Sequence, residues 1–172
     1  MNSELEIEKG PDEIAVEQLE ILKQALDNSR YEYAAALEGI HDEKLEPIVE
    51  RAVERREKFS RELTNALRSY GAVGLDQPEH FPNAASWWHS FWTELRATFA
   101  GNPARILFRD FEHLDEDLLG AYHRMLEHMD LLPMSIATLV QRQHSQIAAE
   151  LGRLLKTEPT SFHWNHDSEQ SA

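Results

Sequence analysis

Four stretches of the chain place apolar residues at alternating steps of three and four, the spacing that keeps side chains on one face of an α-helix. The first stripe runs from Ala15 to Ile40 and the second from Leu45 to Tyr70. The third runs from Ala104 to Met129 and the fourth from Ala137 to Leu154. Short breaks separate the first stripe from the second and the third from the fourth, so the pattern predicts two antiparallel helical hairpins.

Residues 71–102 lie between the two hairpins and are too many for a simple turn. They contain a further predicted helix, from about 83 to 100, whose apolar face is rich in aromatic residues. This face either covers one side of the bundle or forms a dimer surface, for which Trp87 and Phe91 are the candidates. The sequence therefore predicts an all-α four-helix bundle, with two hairpins joined by a long crossover that contains a short aromatic-rich helix.

The two ends of the chain lack this periodicity. Residues 1–11 are charged and end at a Gly-Pro pair, and residues 157–172 contain Pro, Ser and Asn without a repeating pattern. We expect both ends to be flexible tails around a single domain that spans residues 12–156.

The composition narrows the range of partners and compartments. A chain of 172 residues with 41% apolar and 28% charged residues is typical of one soluble domain. It contains no run of about 18 apolar residues and begins with an acidic segment, which argues against a membrane span and a secretory signal and favours the cytoplasm. The net charge of −14 disfavours nucleic acid and anionic lipid as partners. Without cysteine, His and carboxylates are the only strong metal ligands.

Each of the four stripes is interrupted near its middle by a polar residue, and these are Ser29, Arg56, Asp115 and His144. Counting outward from each reversal places the two members of each hairpin at nearly the same level. The sequence therefore predicts a polar layer across the core, with Gln141 adding hydrogen bonds. The alternative for each residue is a shifted stripe, in which the polar group lies at the boundary and reaches water.

Four features of the helical pattern carry a resemblance, namely Tyr33-x2-Ala36, Phe59-x3-Leu63, the tryptophan-containing crossover and Tyr122. With them, about residues 13–155 resemble a small bacterial family of ferritin-like four-helix-bundle proteins of unknown function, some of them stress-associated.

The resemblance implies a set of metal ligands from which this chain departs. Metal-bearing ferritin-like proteins use a Glu from each of two helices and a Glu-x-x-His from each of the other two. Here Ser29 and Arg56 stand at the level of the first two ligand sets, and the third helix keeps a carboxylate as Asp115. The fourth helix reads Gln141-x-x-His144, with an amide where the family has an acid.

The charge of the layer decides between the possible sites. A di-iron centre needs about four carboxylates, whereas this layer offers two at most and adds a guanidinium that cannot lose its proton. Arg56 facing Asp115 or Glu57 favours a metal-free core without catalytic residues. We expect a non-enzymatic, self-associating interaction or stress-related module, most simply a homodimer. The alternative is a metalloprotein that binds or oxidises iron, or binds another divalent metal, through Glu57, Asp115 and His144.

Overall fold

The computed structural model describes residues 11–40, 43–70 and 103–156, and within these ranges it is all-α, without strands. Four α-helices and one 3₁₀ turn follow in chain order: α1 (Pro11–Gly39), α2 (Glu46–Ser69), α3 (Pro103–Leu126), the 3₁₀ turn (Met129–Leu131) and α4 (Met134–Leu154). The prediction of an all-α fold is confirmed. The expected crossover helix, with Trp87 and Phe91, lies outside the described residues, as do the two tails except for Pro11.

Prolines mark the start of all four helices. Pro11 opens α1, Pro103 opens α3, and Pro47 occupies the first turn of α2, where a missing amide donor costs no helical hydrogen bond. Pro133 lies one residue before α4 with an extended ψ of 142°, and its carbonyl accepts the amides of Ile136 and Ala137.

The helices enclose a core that consists of two apolar clusters, one toward each end of the bundle. The first cluster joins the N-terminal half of α1 with the C-terminal halves of α2 and α3 and the N-terminal half of α4. The second joins the opposite halves of the same helices. Neighbouring helices are therefore antiparallel, and α1 packs against α2 and α3 while α4 packs against α3 and, less closely, α2. The chain leaves α2 at one end of the bundle and enters α3 at the other.

The predicted stripes of α1 and α2 face this core. Every stripe position from Ala15 to Ile40 and from Leu45 to Ala66 is buried. None of the helices in the described ranges is long and apolar enough to cross a bilayer.

The buried face of α4 differs from the predicted one. Its buried positions are Ile136, Ala137, Val140, Gln143, Ile147 and Leu154, so the buried face is turned slightly from the expected stripe and includes Gln143 where His144 was expected. The two stripes share four apolar residues, and polar partners on neighbouring helices favour the one that includes Gln143. The inward placement predicted for Gln141 is therefore wrong, because this rotation leaves its side chain exposed.

Candidate functional site: a buried ionic core

Arg56 of α2 lies at the centre of the core and is fully buried. Its Nε donates to Ser29 Oγ on α1 at 2.8 Å, and its Nη1 donates to the Ala52 carbonyl at 3.0 Å. Nη1 also donates to Glu150 Oε1 on α4 at 2.6 Å, and Nη2 donates to Asp115 Oδ1 on α3. One guanidinium therefore connects all four helices, and each of its nitrogens has a partner.

The flat face of the guanidinium is covered by aromatic rings. The Cζ of Arg56 lies 4.0 Å from the ring centroid of Tyr33, within the range of a cation–π interaction. The ring of Tyr33 stacks in turn on Phe111, with centroids 4.3 Å apart and planes 11° from parallel. This stack, together with the hydrogen bonds at its edge, fixes the orientation of the guanidinium.

Asp115 is the most enclosed carboxylate of the site and is fully buried. Its Oδ1 accepts from Arg56, whereas its Oδ2 has no partner that meets hydrogen-bond geometry. The pKa of Asp115 is raised to about 6: burial raises it most and the charge of Glu150 adds to the rise, whereas the charge of Arg56 and hydrogen bonding from Tyr33 and Arg56 lower it. Burial dominates because a low-dielectric interior disfavours the charged form of an acid.

A second arginine completes the charge balance at the edge of the core. Glu150 accepts from Arg56 through one oxygen and from Arg55 through the other. Arg55 and Glu150 retain 26% and 11% of their side-chain exposure, so the network reaches solvent between α2 and α4. Two carboxylates therefore face two guanidiniums, and the cluster formed by Arg55, Arg56, Asp115 and Glu150 is neutral when all four groups are charged. We call these four residues the ionic core.

A second polar group lies one heptad away along α4. Gln143 is fully buried, accepts the hydroxyl of Tyr122 at 2.9 Å and donates to Glu62 Oε2 at 2.8 Å. Arg142 adds an ion pair to the same carboxylate at 2.9 Å. Contacts between α2 and α4 thus include two polar groups, one centred on Gln143 and one on Glu150.

The structure brings together three of the residues selected from the sequence, namely Ser29, Arg56 and Asp115. Gln141 lies outside the network, where its exposed amide donates to Met129 Sδ at 3.3 Å. His144 is half-buried, and its ring meets the edge of Tyr122 with centroids 6.2 Å apart. The α4 side chain that reaches Arg56 is Glu150, six residues beyond His144, so the expected level along the helix differs as well as the expected face.

Sequence reasoning missed Gln143 and Glu150. Gln143 is the buried polar residue of α4, and Glu150 makes the contact with Arg56 that was expected from Gln141 and His144. A signal was present, because Gln143 and Glu150 stand seven residues apart and continue the spacing set by Ile136. The spacing was overlooked because both residues are polar. A polar residue is normally assigned to the solvent-exposed face of a helix unless a partner for it is known.

The residues of the ionic core do not fit a metal ion. Glu57 is exposed and pairs with Arg61 at 2.8 Å, so it does not converge with Asp115 and His144. In the described part of the chain no three His, Asp or Glu side chains are arranged to hold a metal. Asp115 and Glu150 are both bound by arginine, and a guanidinium cannot deprotonate to admit a cation. A ferritin-like di-iron centre, which needs about four carboxylates, finds only two here.

The chain matches a family model described as a domain of unknown function, DUF2383, over residues 14–128. This range covers α1 from its second turn onward together with α2 and α3, and it includes Ser29, Arg56 and Asp115. No curated protein and no solved structure matches the chain.

Proposed function

The chain belongs to the DUF2383 family of domains of unknown function, and on that premise we propose a role without catalysis. The protein acts as a ferritin-like helical interaction module, stress-related and self-associating, whose core is closed by charge pairing in place of a metal. The ferritin-like arrangement is supported by the course of the chain, which leaves α2 and enters α3 at opposite ends of the bundle.

The observation that carries the proposal is the position of the Arg56 guanidinium. It lies between Asp115 and Glu150, at the level where a metalloprotein of this architecture would collect its ligands. The guanidinium supplies the positive charge that a metal would supply, and its hydrogen bonds use the carboxylate oxygens that would bind one. The core therefore fixes the relative positions of the four helices and leaves the outer surface for recognition.

A polar network of this kind favours one packing over its alternatives. A helix that slides by one turn would strand Arg56 or Asp115 without a partner, and an unpaired buried charge costs about 3 to 5 kcal/mol. An interaction module benefits from that property because a fixed helix arrangement presents a constant outer surface.

Metal titration tests the closed core. Iron(II), manganese or zinc in excess should leave the melting temperature of the parent unchanged, because a ligand stabilises only in proportion to its binding to the folded state. Arg56→Glu removes the cation and adds a third carboxylate beside Asp115 and Glu150, so this variant should gain stability with metal. At a hundredfold excess over the dissociation constant, the gain would be about 2.7 kcal/mol.

Arg61→Glu is the matched control for this experiment, since it makes the same substitution at an exposed position of the same helix. It should show no metal response. Strong metal stabilisation of the parent that disappears in Asp115→Asn would overturn the proposal and favour a metalloprotein.

Self-association is the second part of the proposal and concerns Trp87 and Phe91, which lie outside the described residues. Sedimentation velocity of the parent should show a homodimer, and Trp87→Glu should shift it to monomer without loss of helical circular dichroism. Trp164→Glu, a tryptophan substitution in the C-terminal stretch, is the control. A parent that sediments as a monomer at high concentration would remove this part and leave the closed core unaffected.

A further inference from the structure

The two oxygens of the Asp115 carboxyl group have unequal hydrogen bonding. Oδ1 is bound by Arg56, whereas Oδ2 is buried and no donor reaches it with good hydrogen-bond geometry. The Tyr33 hydroxyl also interacts with this carboxyl group and lowers its pKa, but the effect of burial is larger. On its own helix, Asp115 is flanked by the buried apolar side chains of Phe111 and Leu118. Burial shields that oxygen from bulk solvent, and a shielded carboxylate oxygen without a well-placed donor favours the protonated form of the acid.

The groups that face Asp115 from the neighbouring helices determine which interactions remain when it takes up a proton. From α1 the titratable neighbour is Tyr33, whose own pKa is raised well above its ordinary value by burial, so it stays neutral. Arg56 faces Asp115 from α2, and Glu150 on α4 contacts both Arg56 and Arg55. If Asp115 becomes neutral, Arg56 keeps Glu150 as its counter-charge, and the ionic core carries one net positive charge.

We propose that Asp115 is a proton-binding switch inside the bundle: one proton from solvent adds to Oδ2, ends the charge pairing of Asp115 with Arg56 and leaves the guanidinium to Glu150. Mild acid therefore stabilises the fold through this residue. The inference rests on the proposed function, because a metal between the same carboxylates would compete with the proton.

The sign follows from the two states of the chain. The pKa of Asp115 is raised from 3.8 to about 6 in the folded protein, so between these values the folded state holds the proton more tightly than the unfolded state does. The stabilisation is complete below the lower value and is lost as the pH rises through the upper one. From this group alone, the ratio of unfolded to folded protein should be about tenfold lower at pH 5 than at pH 7.

An ordinary buried ion pair predicts the opposite trend. Pairing would lower the pKa of the acid, so that acidification would destabilise the fold. The direction of the pH dependence therefore distinguishes a proton switch from a permanent salt bridge.

Other carboxylates contribute with the same sign and have to be separated from Asp115. The pKa of Glu32 is raised by burial and by the charges of Asp117 and Asp110, and burial also raises the pKa of Asp110. Both belong to the contact between α1 and α3 and are only partly buried. Glu32→Gln measures the part of Glu32, and Asp110→Asn that of Asp110, without changing a contact of Arg56.

Urea unfolding between about pH 5 and pH 7, in the presence of a chelator, tests the proposal. The unfolding constant of the parent should fall between pH 7 and pH 5. In Asp115→Asn this fall should be about tenfold smaller. Glu32→Gln should retain the share that belongs to Asp115. A profile of Asp115→Asn that coincides with that of the parent would overturn the proposal.

Carboxyl carbon NMR of the parent decides the matter if Asp115→Asn fails to fold. The signal of Asp115 should titrate with a midpoint near the raised pKa of about 6, and a midpoint below its ordinary value of 3.8 would exclude the switch. Metal stabilisation at pH 7 without chelator would refute the proposed function and leave the proton switch untouched. The two pH measurements test the switch separately, because both are made without free metal.

Discussion

The contacts of α1 and the contact between α2 and α4 hold the bundle together in different ways. Along α1 the buried residues are mainly apolar, with Leu19, Leu22 and Leu26 all at zero exposure. Between α2 and α4 the named interactions are polar: Arg55 and Arg56 bind Glu150, while Glu62 binds Gln143 and Arg142. We call this second contact the polar seam.

Because of this difference, substitutions and changes of pH affect the stability of the two regions differently. Apolar packing has no direction, depends little on pH or salt, and loses stability in proportion to the volume removed. A polar contact depends on its partner, so removing one group also leaves the other unsatisfied in a dry interior. The apolar contacts thus provide stability under all conditions, whereas the polar seam and the ionic core make the arrangement specific and sensitive to protons.

The largest expected effect comes from removing the shared cation. Arg56→Ala should lower the free energy of unfolding by about 3 to 5 kcal/mol, because it strands the buried Asp115 beside Glu150. Urea unfolding monitored by circular dichroism measures it. Arg56→Met combined with Asp115→Leu should cost much less, because it leaves no buried charge unpaired.

Arg61→Ala is the control for this prediction, since Arg61 is an exposed arginine on α2 that pairs with Glu57. Its loss should cost no more than about 0.5 kcal/mol. Equal costs for Arg56→Ala and Arg61→Ala would show that the ionic core is solvated, and the contrast between the two regions would fail.

A smaller effect tests the rotation of α4 directly. Gln143→Ala should destabilise the protein by about 1 to 3 kcal/mol, because it leaves the Tyr122 hydroxyl without its acceptor in the core. Gln141→Ala, the same substitution two positions earlier, should change stability by no more than about 0.5 kcal/mol because that side chain is exposed. The reverse order would mean that α4 presents the face expected from its sequence, and the polar seam would not exist as described.

The sequence could identify the helices and most of the core because apolar spacing is a local property. Along α1 and α2 the predicted stripe is the face that the core buries, so Ser29 and Arg56 lie inward as the three-and-four spacing indicated. Asp115 could be placed in the same way, since apolar residues precede and follow it in register on α3. The mutual distances of these residues could not be read, because they depend on how the helices pack.

Along α4 the sequence by itself determined a helix but not which of its faces is buried. Val140, Ile147 and Leu154 belong to both candidate stripes, so apolar spacing could not choose between them. The tertiary structure decided in favour of Gln143 and Glu150, because Tyr122 and Glu62 satisfy the first and two arginines satisfy the second. The burial of a polar side chain depends on whether a partner from another helix reaches it, and that partner is a property of the packed bundle, not of the local sequence.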